Sequence, residues 1–237
     1  MKKLSIISAL LVLLSFTYTA NCQLLKDAKK LINTKSGLSE KDAADGIKEA
    51  LVKGTGEGVN VLSKTDGYFK NPEVKIPFPQ DAKEVEKKMR SIGMGKQVDD
   101  VVLSINRAAE DAATEAKPIF VDAIKKMTVK DAVNIVKGEN DAATKYLSKT
   151  TTPELTAKFQ PIIKASLDKV NATKYWTDLI NAYNKIPMVK RMNPNLTEYV
   201  TQKAIEGLFV MIAKEELKIR KDPMARTSEL LKKVFGN

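Results

Sequence analysis

The sequence predicts an all-α protein: a single multi-helix bundle with at most one short β-ribbon near residues 67–79. Three observations predict this fold. The 237 residues are 43% apolar, which is too apolar for a disordered chain and sufficient at this length to bury a core. Helix start and stop signals recur along the chain. The segment 98–116 carries apolar residues at uninterrupted spacings of three and four, which is typical of an amphipathic helix.

The first 22 residues have the three parts of a secretory signal peptide. Lys2 and Lys3 provide a positive start, an apolar run from Leu4 to Phe16 follows, and a short polar stretch ends at Cys22. The apolar run is shorter than the ~20 residues that a membrane-spanning helix needs. We therefore expect cleavage rather than anchoring.

Two ways of processing this signal remain open around Cys22. An ordinary signal peptidase that cuts after Cys22 would use the small residues Ala20 and Cys22, and Gln23 would become the first residue. Lipidation would instead make Cys22 the acylated first residue and tether the domain to a membrane. The residues before Cys22, with Asn21 at the usual small position, fit a lipobox poorly, so simple export is favoured.

Residues 23–38 are expected to lead into one helical domain that extends over residues 39–237. Ser39 begins a weak capping-box pattern, which predicts the first helix. The apolar face of that helix comprises Ile47, Ala50, Leu51, Val61 and Leu62. Between residues 67 and 79, apolar residues alternate with polar residues or proline, which predicts a short two-stranded ribbon packed on the helices.

The later helices are predicted from the residues at their ends. A capping-box pattern at Thr128–Asp131 precedes a helix that stops at Gly138. Thr152-Pro153 predicts proline at the first position of another helix. Asn195 is expected to cap a long helix from about Leu196 to Arg220.

Two segments are expected to meet at the centre of the core. Residues 204–213 are apolar on every side except Glu206 and too short for a membrane span, so we expect a helix buried on all faces. Gly54 and Gly58 lie on one face of the first helix, where each costs about 1 kcal/mol relative to alanine. Close approach of another helix would compensate, and the alanine-rich half of segment 98–116 is the expected partner.

Composition excludes several classes of function. The chain has no His and one Cys, which excludes Ser–His–Asp triads, Cys–His dyads, His-ligated zinc or haem, and an internal disulfide framework. We expect no cofactor and no metal. The net charge of +11 suits an anionic lipid or a glycan, and an envelope protein is a further partner. Nucleic acid is not expected, because no nucleic-acid-binding motif occurs, and membrane association is expected only if Cys22 is lipidated.

A first group of candidate polar residues lies in segment 98–116, where bulky apolar residues give way to alanine. It consists of Asn106, Arg107 and Glu110. The three-residue spacing of Arg107 and Glu110 allows a local ion pair. The group is either a cluster that lines a pocket, with Glu110 as an acid or base, or a partly buried salt bridge. The salt bridge is the favoured interpretation.

The remaining candidates lie at predicted helix ends. Asp141 opens a helix that also carries Tyr146, and a carboxylate there can cap backbone amides. Glu216 and Arg220 are four residues apart in the order that favours an ion pair, with the cation near the negative helix end. These structural interpretations are sufficient. Trp176, the only tryptophan, is predicted to be a core anchor, with contact to a glycan or lipid as the alternative.

A series of motifs follows in order over nearly the whole mature chain. It comprises Asp66-Gly-Tyr, Ile76-Pro-Phe-Pro, Asn106-Arg-Ala-Ala-Glu110, Met127-Thr-Val-Lys-Asp-Ala132, Gly138 through Tyr146, Glu206-Gly-Leu-Phe209, Glu215-Glu through Arg220 and Pro223, and Val234-Phe-Gly236. The series resembles an exported bacterial family catalogued as domain of unknown function 4197. The resemblance implies a helical envelope protein of a Gram-negative bacterium and implies no activity. It adds weight to Asn106, Arg107, Glu110, Asp141, Tyr146, Glu216 and Arg220 as a shared polar surface.

We therefore expect a non-catalytic binding or interaction protein, located in the periplasm or cell envelope or secreted. One alternative is a hydrolase or lyase that acts on envelope material through Glu110 or Asp141, with Arg107 and Tyr146. Another is a self-assembling structural subunit. An enzyme requires carboxylates from different helices to converge in a pocket, a lipid binder requires an apolar cavity, and a subunit requires a large exposed apolar patch.

Overall fold

The computed structural model describes residues 39–91, 93–185, 187–188, 191–222, 224 and 232. This part of the chain contains eight α-helices and no strand, which confirms the predicted all-α class. The helices are α1 (Glu40–Leu62), α2 (Lys83–Ser91), α3 (Gly95–Ala113), α4 (Ala116–Lys126), α5 (Val129–Lys137), α6 (Ala142–Lys169), α7 (Ala172–Asn184) and α8 (Leu196–Lys221), and a 3-10 turn spans Gln80–Ala82. The predicted signal peptide 1–22 with Cys22, the lead-in 23–38 and the motif residues Pro223 and 234–236 lie outside the described residues.

The two long helices α6 and α8 form the centre of the bundle. Helix α8 packs against α1, α3 and α6, and α6 also contacts α3, α4 and α7. Within the predicted core segment, Ala204 and Leu208 are fully buried. The prediction that this segment is buried on all faces is wrong on one side, because Val210 is 45% exposed. Helix α8 therefore leaves one narrow face in solvent.

Helix α3 confirms the amphipathic pattern predicted for segment 98–116. Val98, Ile105 and every alanine of the segment are buried, while Val101 and Val102 are half-buried. The helix ends at Ala113, and Ala116 already belongs to α4. Helix α3 packs mainly against α6, and its small alanine side chains allow a neighbouring helix backbone to approach.

Gly54 and Gly58 mark a close helix approach as predicted, but their partner is α8 and not the alanine half of α3. A Cβ atom placed at Gly54 would lie 3.6 Å from Glu215 Cβ, and one at Gly58 would lie 3.6 Å from Met211 Cβ. Periodicity identifies a face of small residues but carries no information about which helix covers it. The predicted apolar face of α1 is otherwise buried, except at Val61, which is exposed.

Helix α6 corrects the prediction that Pro153 opens a helix. It starts at Ala142, so Pro153 and Pro161 both lie in its interior. Both prolines are exposed, whereas Leu155 and Phe159 on the other side of the helix are fully buried. Each proline therefore leaves its unpaired carbonyl, four residues earlier, on the solvent side, and the helix continues.

Two other predicted helix starts, at Thr128 and Asn195, are confirmed by their caps. Thr128 Oγ1 accepts a hydrogen bond from the Asp131 N–H at 3.1 Å, and Asp131 Oδ2 accepts one from the Thr128 N–H at 3.0 Å. This reciprocal pair is a capping box. Asn195 Oδ1 accepts from the Glu198 N–H at 3.1 Å and caps α8.

Residues 67–79 form consecutive turns, and the described residues of this segment contain no strand pairing. The alternating apolar residues Val74, Ile76 and Phe78 are buried, as the pattern predicted. The backbone of Ile76, however, binds the Asn106 side chain of α3 and not a neighbouring strand, and the Val74 N–H donates to the Asn71 carbonyl within the loop. The segment is therefore a loop held by two polar side chains, which form the first part of the candidate site.

Candidate functional site

The candidate polar residues occupy two places in the structure, and in both they hold backbone of a neighbouring segment. Asn106, Arg107 and Glu110 on α3 hold the loop 66–76. We call this group the loop anchor. Glu216 and Arg220 on α8 hold the start of α6. We call this pair the helix anchor.

Asn106 fixes the far end of the loop and is fully buried. Its Oδ1 accepts a hydrogen bond from the Ile76 N–H at 2.9 Å, and its Nδ2 donates to the Ile76 carbonyl at 2.8 Å. The same Nδ2 donates to the carbonyl of Val102 at 2.7 Å. The amide thereby satisfies the backbone of Ile76 in the way that a paired strand would, which explains why no ribbon forms.

Glu110 fixes the near end of the loop and is only 4% exposed. Its Oε1 accepts from the N–H groups of Tyr68 and Phe69 at 3.0 and 3.1 Å, and its Oε2 accepts from Arg107 Nη1 at 2.6 Å. Arg107 Nη2 donates to Asp66 Oδ1 at 2.6 Å. The hydrogen bonds to Glu110 and then Asp66 raise the pKa of the Arg107 guanidinium. Both oxygens of Glu110 are thus committed to structural partners.

Tyr68 joins the anchored loop to α8. Its side chain is fully buried, and its hydroxyl donates to the carbonyl of Ala204 at 2.6 Å. Burial raises the pKa of Tyr68, with a further contribution from the charge of Glu110, so the hydroxyl stays protonated as a donor. Gly207 provides the space for the ring, because a Cβ there would lie 2.7 Å from Tyr68 Cε1.

The helix anchor caps α6 from a distant part of the chain. Glu216 Oε1 accepts from the Ala143 N–H at 3.0 Å, and Oε2 accepts from the Thr144 N–H at 2.9 Å and hydroxyl at 2.8 Å. The first N–H groups of a helix lack partners inside the helix, and a carboxylate there is favoured by the helix dipole. The capping role expected for Asp141 is therefore filled by Glu216. Asp141 makes no side-chain cap bond and pairs with Lys145 at 3.0 Å.

Arg220 completes the helix anchor and links it to α5. Its Nε and Nη2 donate to Glu216 Oε1 at 3.0 and 2.8 Å, and Nη2 also donates to the carbonyl of Ile135 at 2.8 Å. The predicted four-residue ion pair is confirmed. Tyr146 is half-buried against the core, and burial, followed by the charge of Asp131, raises its pKa.

The two anchors lie far apart along α8. The loop anchor reaches α8 at Ala204, and Glu216 lies about 18 Å further along the axis at about 1.5 Å per residue. Within the described residues, no three His, Cys, Asp or Glu side chains are placed to hold a metal ion. The helices of the same part of the chain include none that is long and apolar enough to span a membrane.

A cleft lies at the surface where α2, α3 and the corner between α6 and α7 meet. Its volume is about 680 Å³, within the range of ~300–1,000 Å³ that is usual for small-molecule sites. Most of its lining is apolar: Phe78, Met89, Met94, Val101, Leu103, Val170, Ala172, Tyr175 and Trp176, with Gln97, Asp100 and Ser104 as the polar part. We call it the Trp176 cleft.

Trp176 forms a wall of this cleft and is 5% exposed. Its ring packs edge-on against Phe78, with the centroids 5.3 Å apart and an angle of 69° between the planes. The prediction of a core anchor is confirmed, and the same ring is in position to contact a ligand. The Nε1–H of Trp176 is buried and has no hydrogen-bond partner among the described residues, whereas a buried indole N–H usually has one.

Sequence reasoning missed the cleft, because its lining comes from several segments that are distant along the chain. The one available signal was the adjacent pair Tyr175 and Trp176, which indicated lipid or glycan contact only as an alternative. Met89 and Met94 gave no indication of a cleft, since methionine side chains are common in any apolar core.

Comparison with known proteins identifies a family but no activity. A family model described as "Protein of unknown function (DUF4197)" matches residues 37–236. The match covers the motifs on which the resemblance was based. No curated protein and no solved structure is significantly similar to the chain.

Proposed function

Because the chain belongs to the DUF4197 family, whose function is unknown, we propose a function from the geometry of the molecule. The protein is a non-catalytic binding protein of the bacterial cell envelope. Its Trp176 cleft holds the apolar chain of an amphiphilic ligand. The observation that carries this proposal is the cleft itself, with its volume of about 680 Å³ and its apolar lining.

The chemistry of the lining favours an amphiphile with a single apolar chain. Each methylene that leaves water for an apolar site contributes about 0.8 kcal/mol, so a chain laid along Leu103 and Met89 is held by burial alone. The exposed side-chain amide of Gln97, in the polar part of the lining, supplies a donor for an ester or hydroxyl oxygen. A pure hydrocarbon would leave this polar part of the lining without a partner.

The alternative hydrolase or lyase has less support from the geometry. Both oxygens of Glu110 accept hydrogen bonds from the loop and from Arg107, and Asp141 forms a surface ion pair with Lys145. An acid or base must be free to reach a substrate proton. The carboxylates of the two anchors are engaged in holding backbone.

The envelope location in this proposal depends on the leader. Residues 1–22 have the pattern of a secretory signal, and the family resemblance favours a Gram-negative periplasm. Cleavage after Cys22 gives a free periplasmic or secreted protein, and lipidation gives a tethered one. Both forms place the cleft where envelope lipids are available.

Fluorescence titration tests the proposed cleft, because Trp176 is the only tryptophan of the chain and lines the cleft, so its emission responds to a ligand that binds there. The probes are monoacylglycerols of increasing acyl length, used below their critical micelle concentrations. We expect a saturable change in emission, with a Kd that falls about fourfold for each added methylene until the cleft is full. An emission that does not respond to any member of the series contradicts the proposal.

Two leucine variants make the titration specific. Leu103→Gln places an amide in the cleft lining and should weaken binding at least tenfold. Leu217→Gln changes a partly exposed leucine on α8 that does not line the cleft, and it should leave the Kd unchanged. If the two variants change the Kd equally, the fluorescence response does not arise in the cleft, and this result would count against the proposal.

A further inference from the structure

The corner between α6 and α7 exposes apolar side chains at the mouth of the Trp176 cleft. Val170 is 52% exposed and Tyr175 is 64% exposed, yet both line the cleft. Helix α6 ends at Lys169 and α7 begins at Ala172, and the chain reverses between them at Asn171, whose φ is 55°. The two exposed side chains therefore come from one tight corner, residues 169–175.

The corner is also positively charged. Lys169 and Lys174 are exposed, and neither forms an ion pair within the part of the chain that the structure describes. The carboxylates of Asp100 and Asp168, which lie in the cleft lining and beside the corner, are each paired with a lysine of their own helix. Two lysines without counter-ions thus flank an exposed tyrosine and an exposed valine.

This combination is typical of side chains that lie at a membrane–water interface. Tyrosine places its ring at the level of the lipid headgroups, and lysines near the surface are attracted by anionic lipids. The net charge, which is +11 for the full sequence and +9 without Lys2 and Lys3 of the leader, adds a long-range attraction of the same sign. Self-association through this corner is less favourable, because a two-fold contact would bring its like-charged lysines together.

We propose that residues 169–175 dock on an anionic lipid bilayer, so that the mouth of the Trp176 cleft faces the lipid. The inference rests on the proposed function, since a docked mouth lets an amphiphile pass between bilayer and cleft without exposing its chain to water. The docking requires no lipid group at Cys22. It assigns the membrane contact to a structural element of the folded domain.

Vesicle co-sedimentation of the chain from Gln23 onward, which retains every residue that the structure describes, tests the docking. The vesicles consist of phosphatidylcholine alone or of phosphatidylcholine with phosphatidylglycerol. The double variant Lys169→Gln with Lys174→Gln should bind the anionic vesicles about 30-fold more weakly than the parent chain, the value for two lysines near such a surface. Binding to the zwitterionic vesicles should be weak for every variant.

A matched double variant controls for net charge. Lys125→Gln with Lys158→Gln removes the same two charges from exposed positions on α4 and α6 away from the corner. It should retain anionic-vesicle binding within about threefold, since its lysines lie outside the contact. All variants begin at Gln23, so neither the leader nor a lipid group on Cys22 contributes to vesicle binding. Equal binding by the two double variants, or no preference for anionic vesicles, overturns the docking.

Two crossed measurements keep this inference separate from the proposed function. The variant at Lys169 and Lys174 should keep the Trp176 response to monoacylglycerol, which is uncharged. Leu103→Gln should lose that response and still sediment with anionic vesicles. Loss of vesicle binding by Leu103→Gln overturns the assignment of the contact to the corner. Absence of the monoacylglycerol response in the parent chain, with vesicle binding retained, counts only against the cleft.

Discussion

At the scale of single residues, two buried glutamates perform the same task in different parts of the molecule. Glu110 accepts two N–H groups at the start of the loop, and Glu216 accepts two at the start of α6. Each is also bound by an arginine on its own helix, Arg107 or Arg220. The arginine compensates the carboxylate charge, and the carboxylate in turn accepts hydrogen bonds from backbone N–H groups of a distant segment.

The loop anchor predicts a large effect of one substitution. Glu110→Ala removes the acceptor of the Tyr68 and Phe69 N–H groups and leaves Arg107 half-paired, so the free energy of unfolding should fall by about 3–5 kcal/mol. Urea unfolding followed by circular dichroism measures it. Glu206→Ala, at a glutamate that is 56% exposed and pairs with Lys203, should lose less than about 1 kcal/mol. Similar losses for both variants would contradict a holding role for Glu110.

The residue scale also shows which part of the site could be predicted. The spacing of Arg107 and Glu110, and of Glu216 and Arg220, predicts the ion pairs, because both partners lie on one helix. The backbone partners lie 42 and 73 residues away along the chain, and no local pattern reports them. The polar residues could therefore be found from the sequence, but their structural task could not.

At the scale of helices, end signals and periodicity predicted the elements that depend on local chemistry. The caps at Thr128 and Asn195 and the buried side of α3 are of this kind. The prediction for Pro153 was wrong, because a Thr-Pro pair at a helix start cannot be distinguished in the sequence from one on the exposed face of a long helix. The prediction of the helix that covers Gly54 and Gly58 was wrong as well, because tertiary packing alone decides which helix lies there.

The contact between the loop and α8 predicts opposite effects of two glycine substitutions. Gly207→Ala brings a methyl group to 2.7 Å from the buried ring of Tyr68, and we expect a loss of about 1–3 kcal/mol in the free energy of unfolding. Gly56→Ala meets no atom of the described residues within 4 Å and should gain up to about 1 kcal/mol from helix propensity. Thermal or urea unfolding of the two variants measures both, and a stabilised Gly207→Ala would show that the ring is not closely packed.

At the scale of the whole molecule, the all-helical bundle was predicted but the cleft was not. Composition and hydrophobic patterning indicate how much apolar surface a chain can bury, and they were sufficient to predict the fold class. The cleft arises where α2, α3 and the corner 169–175 fail to fill the space around Trp176. Such a space is a property of how elements meet and has no signature in any one of them.

The proposed export of the whole chain predicts its mass after expression in a Gram-negative host. The protein recovered from the periplasm should begin at Gln23, as mass spectrometry of the intact chain would show. Cys22→Ser should be processed identically, since serine is also small, whereas a lipidated chain would gain the mass of acyl groups on Cys22 and lose them in this variant. A full-length chain confined to the cytoplasm would contradict export.

The tie between Tyr68 and Ala204 also bears on how the polypeptide is made. Their hydrogen bond joins positions 136 residues apart, and Glu216 meets Ala143 across 73 residues. Both early segments lack their acceptors until the ribosome has added α8, close to the end of synthesis. A nascent chain therefore cannot make these two contacts before α8 has been synthesised, which suits the proposed export through a translocase that threads unfolded polypeptides.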